Sequence, residues 1–432
     1  LADFLTSMEV QPWVESYTAA VIFADISGFS RLAEDLEKDL NCSVNAAEEL
    51  YVYIESSMSQ MVKTLYEHGG DIVKFAGDAC MAVFDKECFH GSLPKATLSA
   101  CKAAMDLSSF NFKANDTTIR VHCGVAAGDI VGYQVGGVMN RYEYIVTGRP
   151  IREMCLAADE AKAGQVVLSN SAYNNLWAAI PKQFRVDGGF EAKTSSLSKE
   201  KVSHSVKKGS LPVEAFRLES DNYILFRLSM ETCSVSHRFL PPSPEDEISV
   251  MLIPILESYI PLPALLAIKS RSCSQIAGFK VCTILFIKLL GLEYGKGPEY
   301  LGTLQTLIRS IQSILTANDG TLCRFTMDDK GSYLLAAFGL SSSLCHHQTD
   351  RAISGAIKIK ETVIDYSFAS QIGLTTGKVF CGTVGGSIRH EYTMHGQIVN
   401  LAARFMSIAQ KNEILVCSHT RNLTIDTIAY SG

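Results

Sequence analysis

The stretch RVHCGVAAGDIVGYQVGG at residues 120–137 recurs without a gap as ASQIGLTTGKVFCGTVGG at residues 369–386, with glycines coinciding at four positions. The match extends outward in both directions. RYEYIVTG (141–148) matches RHEYTMHG (389–396), and QVVLS (165–169) matches EILVC (413–417). Between these, CLAAD (155–159) is set against NLAAR (400–404) after a three-residue offset. Upstream, VIFADISGF (21–29) parallels ILFIKLLGL (284–292), and the hairpin HGGDIVKFAGDACMAVF (68–84) parallels DGTLCRFTMDDKGSYLLAAF (319–338). A repeat of this kind means two copies of one domain.

Each copy reads strand, helix, hairpin, helix, hairpin, helix, strand. β-branched and aromatic residues mark the strands, and glycine-bearing turns join them. AAEELYVYIESSMSQMVKTLYEHGG carries apolar residues at three- and four-residue steps and ends on glycine, which predicts a helix. Helices interleaved with strands and hairpins predict an α/β sandwich on a mixed sheet. The expected division is 1–179 for the first domain, 180–277 for a connecting region and 278–432 for the second. Within the connection, EAKTSSLSKEKVSHSVKKGS reads as a flexible loop, and PEDEISVMLIPILESYIPLPALLAIKS reads as helical.

A 432-residue chain with 47% hydrophobic and 19% charged residues is long enough for two or three domains with substantial cores. A net charge of −6 gives no electrostatic reason to expect nucleic acid or an anionic membrane. The most apolar run, SVMLIPILESYIPLPALLAI, is interrupted by Glu257 and prolines and reads as core helices, not a membrane span. Thirteen cysteines without a C-x-x-C pair lie in apolar runs, which fits reduced thiols and a cytoplasmic location. A start at Leu1 and an end in TIAYSG read as a piece of a longer chain.

The copies differ where chemistry is expected. Asp25 ends a strand in the first copy, and Lys288 stands there in the second. Asp78 sits at the tip of a hairpin. Two converging carboxylates repel unless cations lie between them, and oxygen-only ligands suit magnesium or manganese. Ser27 and Gly28 precede the predicted helix RLAEDLEKDL, whose first N–H groups would cradle phosphate. In the second copy, Asn400 and Arg404 lie four residues apart on one helix face, suited to a ribose oxygen and a pentavalent phosphate. By the three-residue offset, Cys155 and Asp159 stand at the matching places of the first copy.

In combination, DISGF, GGDIVKFAGDA, RHEYT and GQIVNLAAR resemble the motifs of class III nucleotidyl cyclases, and within them the soluble, bicarbonate-responsive branch. The resemblance runs from about residue 18 to the C-terminus. It implies two ferredoxin-like domains in a pseudo-twofold pair, a pseudo-heterodimer within one chain, with one catalytic and one degenerate pocket. It carries two metal ions, Mg²⁺ or Mn²⁺, onto Asp25, the Ile26 carbonyl and Asp78. Phosphate contacts fall on Asp25, Ile26, Ser27, Gly28, Phe29 and Ser30. Base recognition falls on Arg324 and Thr393, with Met394 lining the pocket, and ribose and transition-state contacts fall on Asn400 and Arg404. The bicarbonate contacts fall on Lys74, Val146, Met327 and Cys155, and Arg152, three residues before Cys155, is positioned to substitute.

Two departures stand out. His122 occupies the place of a cation that touches the triphosphate, and an imidazole is mostly neutral at pH 7. Cys155 stands for an arginine, so the response to bicarbonate is expected to be weak. A further triphosphate lysine of the family would lie beyond Gly432. The function expected is conversion of ATP to cyclic AMP and pyrophosphate. A nucleotide-binding pseudo-cyclase without turnover is the alternative, and a guanylyl cyclase is the weaker enzymatic one.

Overall fold

The computed structural model of the chain describes residues 11–27, 43–77, 79–114, 117–180, 213–228, 230, 247–270, 278–292, 298–328, 330–340, 347–385, 389–424 and 426–430. The first copy runs β1 (Trp13–Ser27), α1 (Ser43–Glu67), β2 (Asp71–Ala76), β3 (Ala79–Asp85), α2 (Leu93–Ser108), β4 (Asn111–Ala114) and β5 (Thr117–Val138). It continues through β6 (Arg141–Thr147), α3 (Arg149–Glu160), β7 (Val166–Leu168) and α4 (Asn170–Ala179). The second copy runs β10 (Gly278–Leu290), α7 (Leu301–Ala317), β11 (Gly320–Asp328), β12 (Gly331–Phe338), α8 (Gln348–Asp365) and β13 (Ala369–Gly385). It ends in β14 (His390–His395), α9 (Gln397–Ile408), β15 (Glu413–Val416) and α10 (Ser418–Thr424).

Both sheets have the same strand order, β2-β3-β1-β5 in one and β11-β12-β10-β13 in the other. Both are mixed, because β7 joins β5 and β15 joins β13 in parallel while the neighbouring pairs are antiparallel. The register of the two copies is the same. Asp25 pairs with Ala79 and His122, and Lys288 pairs with Tyr333 and Gln371. Lys288 therefore does take the place of Asp25.

Between the copies lie β8 (Val213–Arg217), β9 (Tyr223–Leu228), α5 (Glu247–Glu257) and α6 (Leu262–Lys269). The β8–β9 hairpin adds to the first sheet through β7, although it falls in the stretch read as connection. Its cue is short, and YILFRL alone does not tell a strand from a buried helix turn. The helices of the connection form as expected, and the 191–210 loop lies outside the described residues. None of the described cysteines is in a disulfide.

One expectation is corrected by the fold. Helices α3 and α9 start at Gly148 and Gly396, which share a backbone of φ 132° and 148° that side-chain-bearing residues rarely adopt. Each helix then presses on a glycine of the central strand. A methyl group at Gly124 would collide with the Met154 carbonyl and the Ala158 nitrogen, and one at Gly373 with the Ala402 carbonyl and the Met406 nitrogen. The helices thus align without the three-residue offset. Arg152, not Cys155, occupies the position of Asn400, and Leu156, not Asp159, occupies that of Arg404.

The copies bury parts of each other. Val135 of the first copy lies in the core formed by α7, β11 and β12, and its counterpart Val384 lies in the core of the first copy. Helix α1 packs on β13, and α7 packs on β5. Such reciprocal contact is what a twofold pair produces.

Candidate active site between the two copies

Two glutamates bridge the copies. The Phe75 N–H donates to Glu391 Oε2 at 3.1 Å, and the Phe325 N–H donates to Glu143 Oε2 at 3.3 Å. Glu143 and Glu391 come from the repeated R-x-E-Y of β6 and β14. That repeat is visible in the sequence, yet sequence reasoning assigned neither residue a part. Each glutamate also holds an arginine, Arg141 Nη2 to Glu143 at 2.6 Å and Arg324 Nη2 to Glu391 at 3.3 Å. Losing one acceptor would leave a buried N–H unpaired, at a cost of about 1–3 kcal/mol.

Lys74 and Arg324 are the same position in the two copies. β2 and β11 each carry a one-residue irregularity immediately before it, between Ile72 and Lys74 and between Leu322 and Arg324. Lys74 is buried, and its Nζ donates to the Phe325 carbonyl across the interface. Burial lowers its pKa to about 8, partly offset by the Glu143 carboxylate. Arg324 also lies 3.4 Å from Thr393 Oγ1, so the two residues read as base-recognising are brought together. His395 sits near them, and burial, with Arg324 adding to it, holds its pKa down at about 4.

The carboxylate end of the site is at the tip of β1. Asp25 Oδ1 accepts from the Ile26 N–H at 2.9 Å, and Asp25 Oδ2 lies 3.6 Å from His122 Nε2. His122 Nδ1 is 2.8 Å from Ser27 Oγ. Burial raises the pKa of Asp25, and His122 opposes the shift. Lys330 of the second copy reaches over to Asp159 of the first at 3.4 Å, close to this carboxylate.

The other expected residues are placed as follows. Asn400 and Arg404 lie one turn apart on α9, both exposed. Met394, on β14, is buried. Asp78, Gly28, Phe29 and Ser30 lie outside the described residues. Val146 and Cys155 share one apolar cluster of the first copy, whereas Met327 lies in the core of the second, which Ile145 also joins. Arg152 is exposed on α3.

Among the described residues, no group of three or more metal-ligating side chains converges. Asp25 nonetheless fits a divalent cation. It is a hard oxygen donor, largely desolvated, with His122 beside it and the more distant Lys330 opposing its charge.

Fold and site together define a paired-domain protein of the nucleotidyl cyclase type, with unlike residues at twofold-related positions of a shared interface. The chain belongs to the adenylate and guanylate cyclase catalytic domain family, whose model matches residues 14–206 and 275–429. It is 27% identical to adenylate cyclase type 10 of Rattus norvegicus and 26% identical to that of Homo sapiens, each over 98% of this chain. It spans about a quarter of the length of these relatives, 25% in each case. A solved class III adenylyl cyclase-like ATP-binding protein from Pseudomonas aeruginosa has the same fold, with a TM-score of 0.54 and 11% identity over 95% of this chain and 85% of that one. No helix among the described residues is long and apolar enough to cross a membrane.

Proposed function

We propose that the chain is an adenylyl cyclase, converting ATP to 3′,5′-cyclic AMP and pyrophosphate at a single pocket between the copies. The observation that carries this is the unequal occupation of equivalent positions. Asp25 faces Lys288 in the alignment of the copies, and Asn400 and Arg404 face Arg152 and Leu156. A twofold pair offers two pockets, and this division leaves one of them with both the carboxylate and the guanidinium.

In this reading Arg324 and Thr393 meet the adenine edge, one as donor and the other as acceptor. Glu391 fixes Arg324 and binds the first copy, so base recognition and domain pairing share one carboxylate. Asn400 orients the ribose. Arg404 stabilises the charge on the α-phosphate as the 3′-oxygen bonds to phosphorus and the bond to the bridging oxygen breaks. The 3′-hydroxyl proton leaves to solvent, since no described side chain stands out as a base. Asp25 and Asp78 would hold two divalent cations, which supply charge neutralisation and a more acidic 3′-hydroxyl when bound. Ser27 holds His122 beside Asp25, near where the triphosphate would lie.

The second pocket, which resemblance links to bicarbonate, has leucine where the first has Arg404. Bicarbonate stimulation is therefore weak or absent. An assay of the purified chain with ATP or GTP and Mn²⁺ tests the reading. Cyclic AMP formation supports it, cyclic GMP from GTP as the sole product would make it a guanylyl cyclase, and nucleotide binding without product would leave a regulatory module.

A further inference from the structure

A cavity of about 650 Å³ opens at the far end of β5 from His122, where three parts of the chain meet. The β5–β6 turn supplies Val138, Met139 and Arg141. The connecting helices supply Glu257, Leu262, Leu266 and Lys269, and the second copy supplies Lys280, Leu322 and Leu340. The connection is fastened here: the Tyr142 N–H donates to the Ser258 carbonyl at 2.8 Å, and Ala264 is buried in the core of the second copy.

The walls are part apolar and part polar, and the charges are uneven. Lys269 is paired with Glu257 at 2.8 Å, and Asp319 is paired with Arg351. Arg141 is bound to Glu143, yet its Nε is buried with no partner among the described residues. Lys280 donates one of its three ammonium protons to the Leu340 carbonyl at 2.7 Å and has no carboxylate partner among the described residues. What remains is an amphipathic chamber, with a leucine-rich wall and one ammonium without a carboxylate partner among the described residues, at a volume typical of small-molecule sites.

We propose that this cavity binds a small amphipathic carboxylate, with its head on Lys280 and its apolar body against Leu262, Leu266, Leu322 and Leu340. A neutral apolar molecule would leave the ammonium unanswered, and a small anion would leave the walls wet. The occupant touches both copies and the connecting helices, so it would bind the folded pair and not either copy alone.

The test is ligand-observed NMR and calorimetry on the whole chain with decanoate, 1-decanol and acetate, none of which resembles a nucleotide. Saturable decanoate binding is expected, with 1-decanol weaker and acetate undetectable. Lys280→Met should weaken decanoate about tenfold, as loss of a charge-assisted hydrogen bond does. Lys280→Arg should retain it, and Leu266→Asp, which places a like charge at the exposed mouth, should abolish it. Equal binding of decanoate and 1-decanol, decanoate binding unchanged by both Lys280→Met and Leu266→Asp, or no saturable decanoate binding to the folded wild type would each overturn the proposal. None of these outcomes bears on cyclase activity, which is read separately.

Discussion

Lys74 and Arg324 occupy one position in two copies of a domain, but only the lysine reaches across the interface, to the Phe325 carbonyl. The arginine stays within its own copy, on Glu391 and Thr393. A duplicated hairpin has thus given one copy a buried cation at the interface and the other a cation held on a carboxylate and a hydroxyl of its own copy.

That burial has a pH signature. The Lys74 pKa falls from 10.5 to about 8 on folding. Between these values the unfolded chain holds the proton and the folded chain does not, so this group's contribution to stability rises with pH. Below pH 8 the cost of burying the charge is present in full. Wild type should therefore gain stability relative to Lys74→Met between pH 8 and pH 10.5, by up to about 3 kcal/mol. Denaturant melts of both proteins across that range check it, and parallel curves would contradict it.

Asp25 shows the opposite sign. Its carboxyl is raised above 3.8 by burial, so the folded chain holds the extra proton and stability falls as pH rises through that window. At pH 7.5, without added metal, Asp25→Asn should melt at or above the wild-type temperature while losing turnover. A functional carboxylate held at a cost to folding behaves this way. Thermal melts paired with a cyclase assay test it, and a destabilised Asp25→Asn would show that the carboxylate is structural.

Much of this was legible in the sequence because both copies keep the same punctuation. The coinciding glycines at 124 and 373 are spaces for a helix backbone, and the Asp25–Lys288 contrast survives in the observed register. The misplacement of Cys155 has a physical origin. A slip of three residues is close to a helical turn of about 3.6, so the apolar face stays in phase and LAA matches LAA. The starting glycines, fixed by their backbone angles, and the helix contacts at Gly124 and Gly373 reveal the true alignment. The crossing of Glu143 and Glu391 was out of reach, since a repeated acid does not say whether it bonds within its copy or to the other.

The corrected alignment makes a distinct prediction for the second pocket. Leu156→Arg should create or enlarge a bicarbonate response, and Cys155→Arg should not. Cyclic AMP production against bicarbonate, at fixed pH and ionic strength, separates them. A response from Cys155→Arg alone would return the arginine position to Cys155, where the resemblance puts it.

Arg404→Ala should lower turnover by ~10²–10³-fold, the usual result of removing one preorganised donor to the transition state. The apparent affinity for ATP should change much less. An effect on affinity with unchanged turnover would assign Arg404 to ground-state binding instead.

The most direct test of a single mixed pocket is cyclic AMP production from ATP and Mn²⁺ by the wild type, Asp25→Asn, Arg404→Ala, Lys288→Ala and Leu156→Ala. One productive pocket predicts that the first two substitutions, one in each copy, each remove turnover, while the latter two, at the equivalent positions, leave it near wild type. Loss of turnover in Lys288→Ala and Leu156→Ala equal to that in Asp25→Asn and Arg404→Ala, with all four folded, would contradict it.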